Sequence, residues 1–323
     1  SETINEYLNL HDKDEKARTK NYAWFVNAYY NVSTIFYEWA WGSSFHFAPR
    51  YEYETFQGAI LRHEMRLADR LHIKPGDRVM DIGCGIGGPL TNIAKVTGAH
   101  LTGLNNNAYQ VARANARVKD LGLEKTCRFV KGDFCKMEFA SDNSYDACYA
   151  IESTCHAPQR EDVFSQVFRT LKPGGLFGGY EWVLTDKHDP QNPAHLRAAK
   201  NIEIGNGLPH LSDYKVVPAA LRAVGFEVLE YEDFFANNSG EETDWFQDLE
   251  GSYWRPTTFQ FTPIGRWILF HLLTFLEKTQ IAPRGVQKVS AMLHVAAEGL
   301  VAGGKMKTFT PGYFFLARKP VKA

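Results

Sequence analysis

The sequence lacks a dominant charge: 36 Lys and Arg face 37 Asp and Glu, a formal net of −1. Without a one-signed field to gather phosphate backbones, nucleic acid is not an expected partner. Long hydrophobic runs are missing as well. No apolar stretch approaches the roughly 20 residues of a membrane-spanning helix. The chain begins at Ser1 rather than Met, so a removed leader or anchor stays open. Cysteine is sparse, and Cys84, Cys127, Cys135, Cys148 and Cys155 are odd in number without metal-ligand spacing. That pattern indicates reduced thiols in a reducing compartment and no metal site. Internal repeats and low-complexity segments are also absent.

What the chain does have is ring surface concentrated in one place. The stretch "YEWAWGSSFHF", residues 37–47, brings Tyr37, Trp39, Trp41, Phe45 and Phe47 together with His46. Apolar periodicity over 21–36 and 56–71 predicts a helix on either side of it. From Lys74 the texture changes to short apolar strands alternating with helices, beginning with "KPGDRVMDIGCGIGGPLTNIAKV". Further strands are predicted at 100–105, 127–133, 145–153, 176–184 and 226–231, and a last one at "GYFFLARKP". Strands separated by helices predict an α/β fold with a doubly wound parallel sheet. Residues 240–305 break the pattern and read as a helical insertion before that last strand. Within it "WILFHLLTFL", residues 267–276, is apolar on nearly every side and too short to span a bilayer, so it is either buried or facing lipid.

The loop "DIGCGIGG" fits two patterns. Gly83, Gly85 and Gly88 match a dinucleotide fingerprint, and Gly83, Gly85 and Gly87 after Asp81 match an S-adenosylmethionine loop. Both need glycines so that the backbone can approach a ligand at the end of the first strand. A dinucleotide site also wants Asp or Glu about 20 residues on, to hold the ribose. Asn105, Asn106 and Asn107 stand there instead, which counts against NAD. Further on, "KGDF" puts Asp133 at the end of the third strand, either to accept the adenine amino group or to cap a turn.

"YEWAWGSSFHF", "RHE" (62–64), "DIGCGIGGP", "GLNNN", "FVKGDF", "YAIESTCHAP", "LKPGG", "YEWV", "IEIGNGLP", "EGLVAGGK" and "FTPGYFFLARKP" follow one another over about residues 29–320. In these stretches the chain resembles the sterol 24-C-methyltransferase family. The resemblance implies a Rossmann-like class I methyltransferase, with S-adenosylmethionine (SAM) as methyl donor and S-adenosylhomocysteine as its product. It implies an N-terminal segment (1–73) contacting substrate, a SAM-binding domain (74–239), a sterol-binding insertion (240–305) and a last strand with a tail (306–323). Asp81, Gly83, Gly85 and Gly87 would line the donor site with Gln110 and Phe134, Asn105 and Asn106 would take the ribose, and Asp133 the adenine. The aromatic stretch, "YAIESTCHAP" and "YEWV" would face a sterol. "FHFAPR" and "GNGLP" are more like the plant-type branch, whose substrate is cycloartenol, than the fungal branch acting on zymosterol. The resemblance further implies a homo-oligomer, peripheral at the endoplasmic reticulum membrane surface or in the cytoplasm. The chain departs from the family at Ala40, at Ser153 in "IESTCH", at "YEYET" and in "FFANNSGEETDWFQDL".

Methylating carbon 24 of a side-chain alkene needs no base for the attack, because the donor methyl is already cationic. It needs alignment, then protection of a carbocation through a hydride shift, then removal of a proton. Aromatic faces stabilise a desolvated cation by about 0.5–2 kcal/mol each and offer no nucleophile. The candidates are Tyr37, Trp39, Trp41, Phe45, Phe47, Tyr180 and Trp182; the competing reading of the aromatic stretch is a hydrophobic plug. For the proton acceptor, Glu152 and His156 come first because they follow the fourth strand beside the cofactor crevice, ahead of Glu64, His46 and Glu181. His46 and Glu64 could instead bind the sterol 3-hydroxyl, and the residues alone do not separate base from anchor. Cys155 beside His156 reads as a structural thiol, since neighbouring strand residues face opposite ways. Alternatives are a methyltransferase acting on another triterpenoid or another sterol position, an inactive sterol-binding protein, and a dehydrogenase.

Overall fold

The computed structural model describes residues 6–7, 15–236, 241–254, 258–282 and 285–321. They divide into two compact units, one from residues 34–183, 212–243 and 311–323, the other from 1–33, 184–211 and 244–310. The strands of the seven-stranded sheet are β1 (Arg78–Ile82), β2 (His100–Asn105), β3 (Cys127–Lys131), β4 (Tyr145–Ile151), β5 (Leu171–Leu184), β6 (Glu227–Asp233) and β7 (Phe309–Arg318). The helices are α1 (Glu15–Lys20), α2 (Tyr22–Trp41), α3 (Phe56–Arg70), α4 (Gly88–Thr97), α5 (Ala108–Asp120), α6 (Arg160–Thr170), α7 (Pro193–Asn206), α8 (Val216–Val224), α9 (Pro263–Lys278) and α10 (Val286–Lys305).

In the first unit the strand order is β3-β2-β1-β4-β5-β7-β6. Strand β1 is parallel to β2 and β4, β2 to β3, and β4 to β5, whereas β7 runs antiparallel to β6. The alternation of side chains along each strand feeds two cores. Met80, Ile82, Cys148 and Ala150 join one, and Val79, Ala147 and Tyr149 the other, as a sheet covered on both faces requires. After β1 the chain adds β2 and β3 on one side, then crosses to β4 on the other. The carboxyl ends of β1 and β4 are therefore the point where the winding reverses, the usual place for a ligand in such sheets.

Helix α3 starts at Thr55, whose hydroxyl accepts the Gly58 N–H at 3.1 Å. Its buried stripe of Ala59, Ile60, His63, Glu64, Leu67 and Ala68 has helical spacing but carries two polar members, the first hint that this helix holds a site. Helix α2 corrects one expectation. It does not stop before the aromatic stretch but runs through its first half to Trp41, with Tyr37 and Trp41 paired one turn apart at 5.4 Å. Gly42, at φ 77°, ends it. The side chains of Trp39 and Ala40 lie outside the described residues.

The second unit is helical. Helices α7 and α10 pack closely because Gly205 presents no side chain: a Cβ there would meet that of Ala296 at 2.4 Å. Tyr29 secures the same corner, its hydroxyl donating to the Gly205 carbonyl at 3.0 Å. Helix α9 carries the apolar 267–276 stretch. Leu273 is buried, but Ile264, Trp267, Ile268, Phe270, Leu272 and Phe275 are exposed, so burial is not its fate within the unit. No helix among the described residues is long and apolar enough to cross a membrane.

Candidate active site

The glycine loop leaves β1 at Asp81 and Ile82 and enters α4 with Gly83, Gly85 and Gly87 all at positive φ, a backbone that other residues rarely adopt. Gly88 permits a second close approach. A Cβ there would stand 2.1 Å from the Ser43 carbonyl oxygen, so its absence lets the 42–47 segment of the aromatic stretch lie on the start of α4. One cavity results, lined from the loop by Asp81, Gly83 and Gly85 and from the other side by Phe45, His46 and Ile151. Asp81 is buried and accepts a hydrogen bond from the Tyr149 hydroxyl at 3.0 Å. Burial pushes its carboxyl up to about 7, against the Tyr149 bond. A bare-backbone loop beside a buried carboxyl fits the amino-acid end of a SAM molecule.

Around the second strand, Asn105 is committed inside the protein. Its amide donates to the Gly85 carbonyl at 3.1 Å and to Gln110 Oε1 at 2.7 Å, and its oxygen accepts the Asn107 N–H at 3.1 Å. Gln110 passes the connection on to Thr34 Oγ1 at 3.0 Å. Asn105 and Gln110 thus brace the glycine loop from behind, while Asn106 next to them is half-buried. Asp133 caps its turn by accepting the Cys135 N–H at 2.8 Å, and Phe134 packs on the core.

The rings of the aromatic stretch form a chain. Tyr37 lies 5.5 Å from Phe45, Trp41 meets Phe47 edge-on at 6.3 Å, and Phe47 lies 6.0 Å from Trp182. Glu152 closes the chain. One carboxylate oxygen accepts the Phe47 N–H at 2.8 Å and the other the Trp182 Nε1–H at 2.7 Å. Its backbone sits at φ 52°, a strained value for a glutamate that turns the side chain back toward the rings. Burial pushes this carboxyl up to about 8, with His46, Trp182 and Phe47 pulling the other way.

Glu64 has three polar partners. Ser44 Oγ and His46 Nε2 lie 2.7 and 3.1 Å from Oε1, and Asn92 Nδ2 lies 2.8 Å from Oε2. The two histidines of the region are driven apart. Burial lowers His46, but the bond and charge of Glu64 and the charge of Glu152 outweigh it, leaving the ring raised. His63, 5.8 Å away, is lowered far below its ordinary value by burial and by His46. Tyr180 stacks on His63 at 3.8 Å rather than joining the ring chain.

Thr154, Cys155 and His156 form a 3-10 turn rather than continuing the strand. His156 is buried there. Burial first, then the charge of Glu181, holds the Cys155 thiol well above its usual range, so it is no nucleophile. Glu181 anchors this turn, accepting from Thr154 Oγ1 and from Arg160 at 3.2 Å. Ser153 donates to the Ile82 carbonyl, tying the turn to the end of β1. His63, Ser44, Asn92 and Tyr149 take part in the site but escaped the sequence reading. Each lies inside a quoted stretch, His63 in "RHE", Ser44 in "YEWAWGSSFHF", Tyr149 in "YAIESTCHAP" and Asn92 in the strand–loop–helix stretch from Lys74, but none was singled out. No group of three or more His, Cys, Asp or Glu among the described residues could hold a metal ion.

A glycine loop at the reversal point of a seven-stranded, mostly parallel sheet defines a class I SAM-dependent methyltransferase. Comparison with known proteins agrees. Residues 80–178 match the methyltransferase domain family, and residues 256–321 match the sterol methyltransferase C-terminal family. A cyclopropane synthase from Mycobacterium tuberculosis shares the fold (TM-score 0.69, 16% identity, 91% of this chain and 97% of that one). So does a geranyl diphosphate C-methyltransferase from Streptomyces coelicolor (0.63, 14%, 92% and 98%). The cycloartenol-C-24-methyltransferase of Arabidopsis thaliana is 46% identical over 99% of this chain and 94% of its own. The sterol 24-C-methyltransferase of Saccharomyces cerevisiae is 47% identical over 97% and 83%. The chain belongs to the sterol 24-C-methyltransferase family and is a SAM-dependent enzyme. Near-equal identity to plant and yeast relatives does not separate the branches.

Proposed function

We propose that the protein methylates carbon 24 of a sterol with cycloartenol as acceptor, in the cavity shared by the glycine loop and the aromatic stretch. That shared cavity is the observation that carries the reading, because alkylating an alkene requires the donor and the hydrocarbon to meet without water. When bound, SAM supplies a methyl group that is already electrophilic. Asp81, Gly83, Gly85 and Gly87 hold its amino-acid end, Asn106 its ribose and Asp133 its adenine, with Asn105 and Gln110 bracing the loop and Phe134 packed beside it. Phe45, which lines that cavity, and Tyr37, Trp41, Phe47 and Trp182, joined to it ring by ring, stabilise positive charge developing on the sterol side chain and exclude nucleophiles. Glu152 collects the proton, and His156 is the second candidate.

The "FHFAPR" and "GNGLP" stretches support cycloartenol over zymosterol, and the family match over 256–321 supports assigning the 240–305 insertion to the sterol. The test is incubation with labelled SAM and each sterol in turn. Cycloartenol is expected to gain one methylene unit of mass with label in the product, and no turnover of any unsaturated sterol overturns the reading.

Peripheral attachment at the endoplasmic reticulum surface and homo-oligomerisation belong to the same proposal. The uncharged run from Trp267 to Leu276 on α9, with its exposed rings, supports contact with a lipid surface. The protein is expected to float with liposomes, and Trp267→Glu with Phe275→Glu is expected to leave it in the soluble fraction. A wild-type chain that stays in the soluble fraction removes the idea.

A further inference from the structure

The His46 ring faces oxygen on both sides. Nδ1 lies 2.9 Å from the Phe47 carbonyl, and Nε2 lies 3.1 Å from Glu64 Oε1. A carbonyl oxygen can only accept. The Glu64 carboxylate is surrounded by donors, the Ser44 hydroxyl on one oxygen and the Asn92 amide on the other. A neutral imidazole beside the ionised Glu64 would set a lone pair against one of these oxygens, in a site where His46 is 2% exposed. With Glu64 ionised, the form that satisfies both contacts carries a proton on each nitrogen.

We propose that His46 is neither base nor sterol anchor but a fixed imidazolium, a positioning residue that holds the carbonyl of the Phe47–Ala48 peptide and so steadies the Phe47 backbone, whose N–H in the preceding peptide points at Glu152. The chain of contacts runs from Asn92 and Ser44 through Glu64 to His46, from His46 to the Phe47 carbonyl, and from the Phe47 N–H to Glu152 Oε1. The lock ties α3, the start of α4, the aromatic loop and the residue after β4 to one another. It therefore fixes the proton acceptor relative to the glycine loop. The ionisable groups facing the ring are Glu64 and His63 from α3, Asp81 from β1 and Glu152 after β4, and Arg117 of α5 acts on Glu64. Each carboxyl favours the cation when ionised, Asp81 and Glu152 above about 7 and about 8. His63 opposes it, and burial keeps that ring neutral. The proposal rests on Glu152 being the proton acceptor.

Two measurements test it on the whole protein. In the first, histidine ring nitrogens are labelled with nitrogen-15 and followed by NMR across neutral pH, with the His46 signals identified by their loss in His46→Asn. Two protonated nitrogens on His46 well above the ordinary histidine range are expected; one bare nitrogen at neutral pH overturns the proposal. In the second, Glu64→Gln keeps the shape and removes the charge. Its kcat is expected to fall about tenfold at mildly alkaline pH with little change in KM for SAM. The alkaline limb of kcat should move down by about one pH unit or more, with partial return in Glu64→Asp. A uniform loss with an unmoved limb overturns the positioning role, and if Glu64→Gln fails to fold, the ring-nitrogen measurement on the unaltered protein still decides. Normal turnover in Glu152→Gln beside a doubly protonated His46 would fault the choice of proton acceptor. A singly protonated ring faults the lock whatever Glu152 does.

Discussion

Glu152→Gln is expected to lower kcat by about 10²- to 10⁴-fold, the usual contribution of a positioned acid or base, while leaving SAM affinity unchanged. The amide keeps the size of the side chain and can still accept the Phe47 N–H through its oxygen. It cannot accept a proton from the sterol side chain. One further consequence is local: the amide NH2 would face either the Phe47 N–H or the Trp182 Nε1–H, donor against donor, so one of the two contacts at 2.8 and 2.7 Å is lost. The pH dependence has a definite sign. Burial lifts this carboxyl to about 8, so below that pH the protein holds it protonated and unable to act. Turnover should therefore rise with pH toward about 8, and a bound sulfonium, favouring the carboxylate, should shift the rise in the ternary complex to lower pH. Wild-type turnover in Glu152→Gln, measured with labelled SAM under saturating sterol, would clear Glu152 of a chemical role.

The features legible in the sequence were those written in neighbouring residues. The glycines after Asp81 require a strand-to-helix turn of positive φ, and the short apolar stretch 100–105 gives β2 with its bounds. Glu152 was within reach because it follows β4, next to the reversal point. The aromatic stretch announced itself by composition, but its shape did not. Tyr37 and Trp41 fit a helix turn as well as a loop, and only the Gly42 end-cap decides how far α2 runs. What the residues could not reveal were pairings between distant segments. Asn105 is a ribose candidate in the sequence, and the bonds of its amide to Gly85 and Gln110 are not written there. His46 and Glu64 are base or sterol-anchor candidates in the sequence, and their facing each other, with Ser44 and Asn92 on the same carboxylate, is not written there. Such contacts depend on where α3 and α4 pack, and that is set by the whole apolar stripe of each helix rather than by the polar residue it carries.

Asp81→Asn should weaken SAM binding by a hundredfold or more, because removing one partner of a buried charge pair costs about 3–5 kcal/mol. Asp81 lies at the mouth of the bare glycine loop, and its side chain is 2% exposed, so water cannot replace it as counter-charge to the donor's ammonium group. The pH dependence of SAM affinity in the unaltered protein carries the same information. With the carboxyl lifted to about 7 by burial, a cation must find it ionised, and the proton must leave first. Affinity should thus strengthen as pH rises from about 6 to 8 and level off above, the slope vanishing in Asp81→Asn. Tyr149→Phe removes the hydroxyl that stabilises the ionised form, so it should move this midpoint upward without abolishing binding. Calorimetric titration with SAM across that pH range, beside sterol binding as a control for folding, reads all three effects. An Asp81→Asn protein that binds SAM as tightly as the parent would show that the loop backbone alone holds the donor.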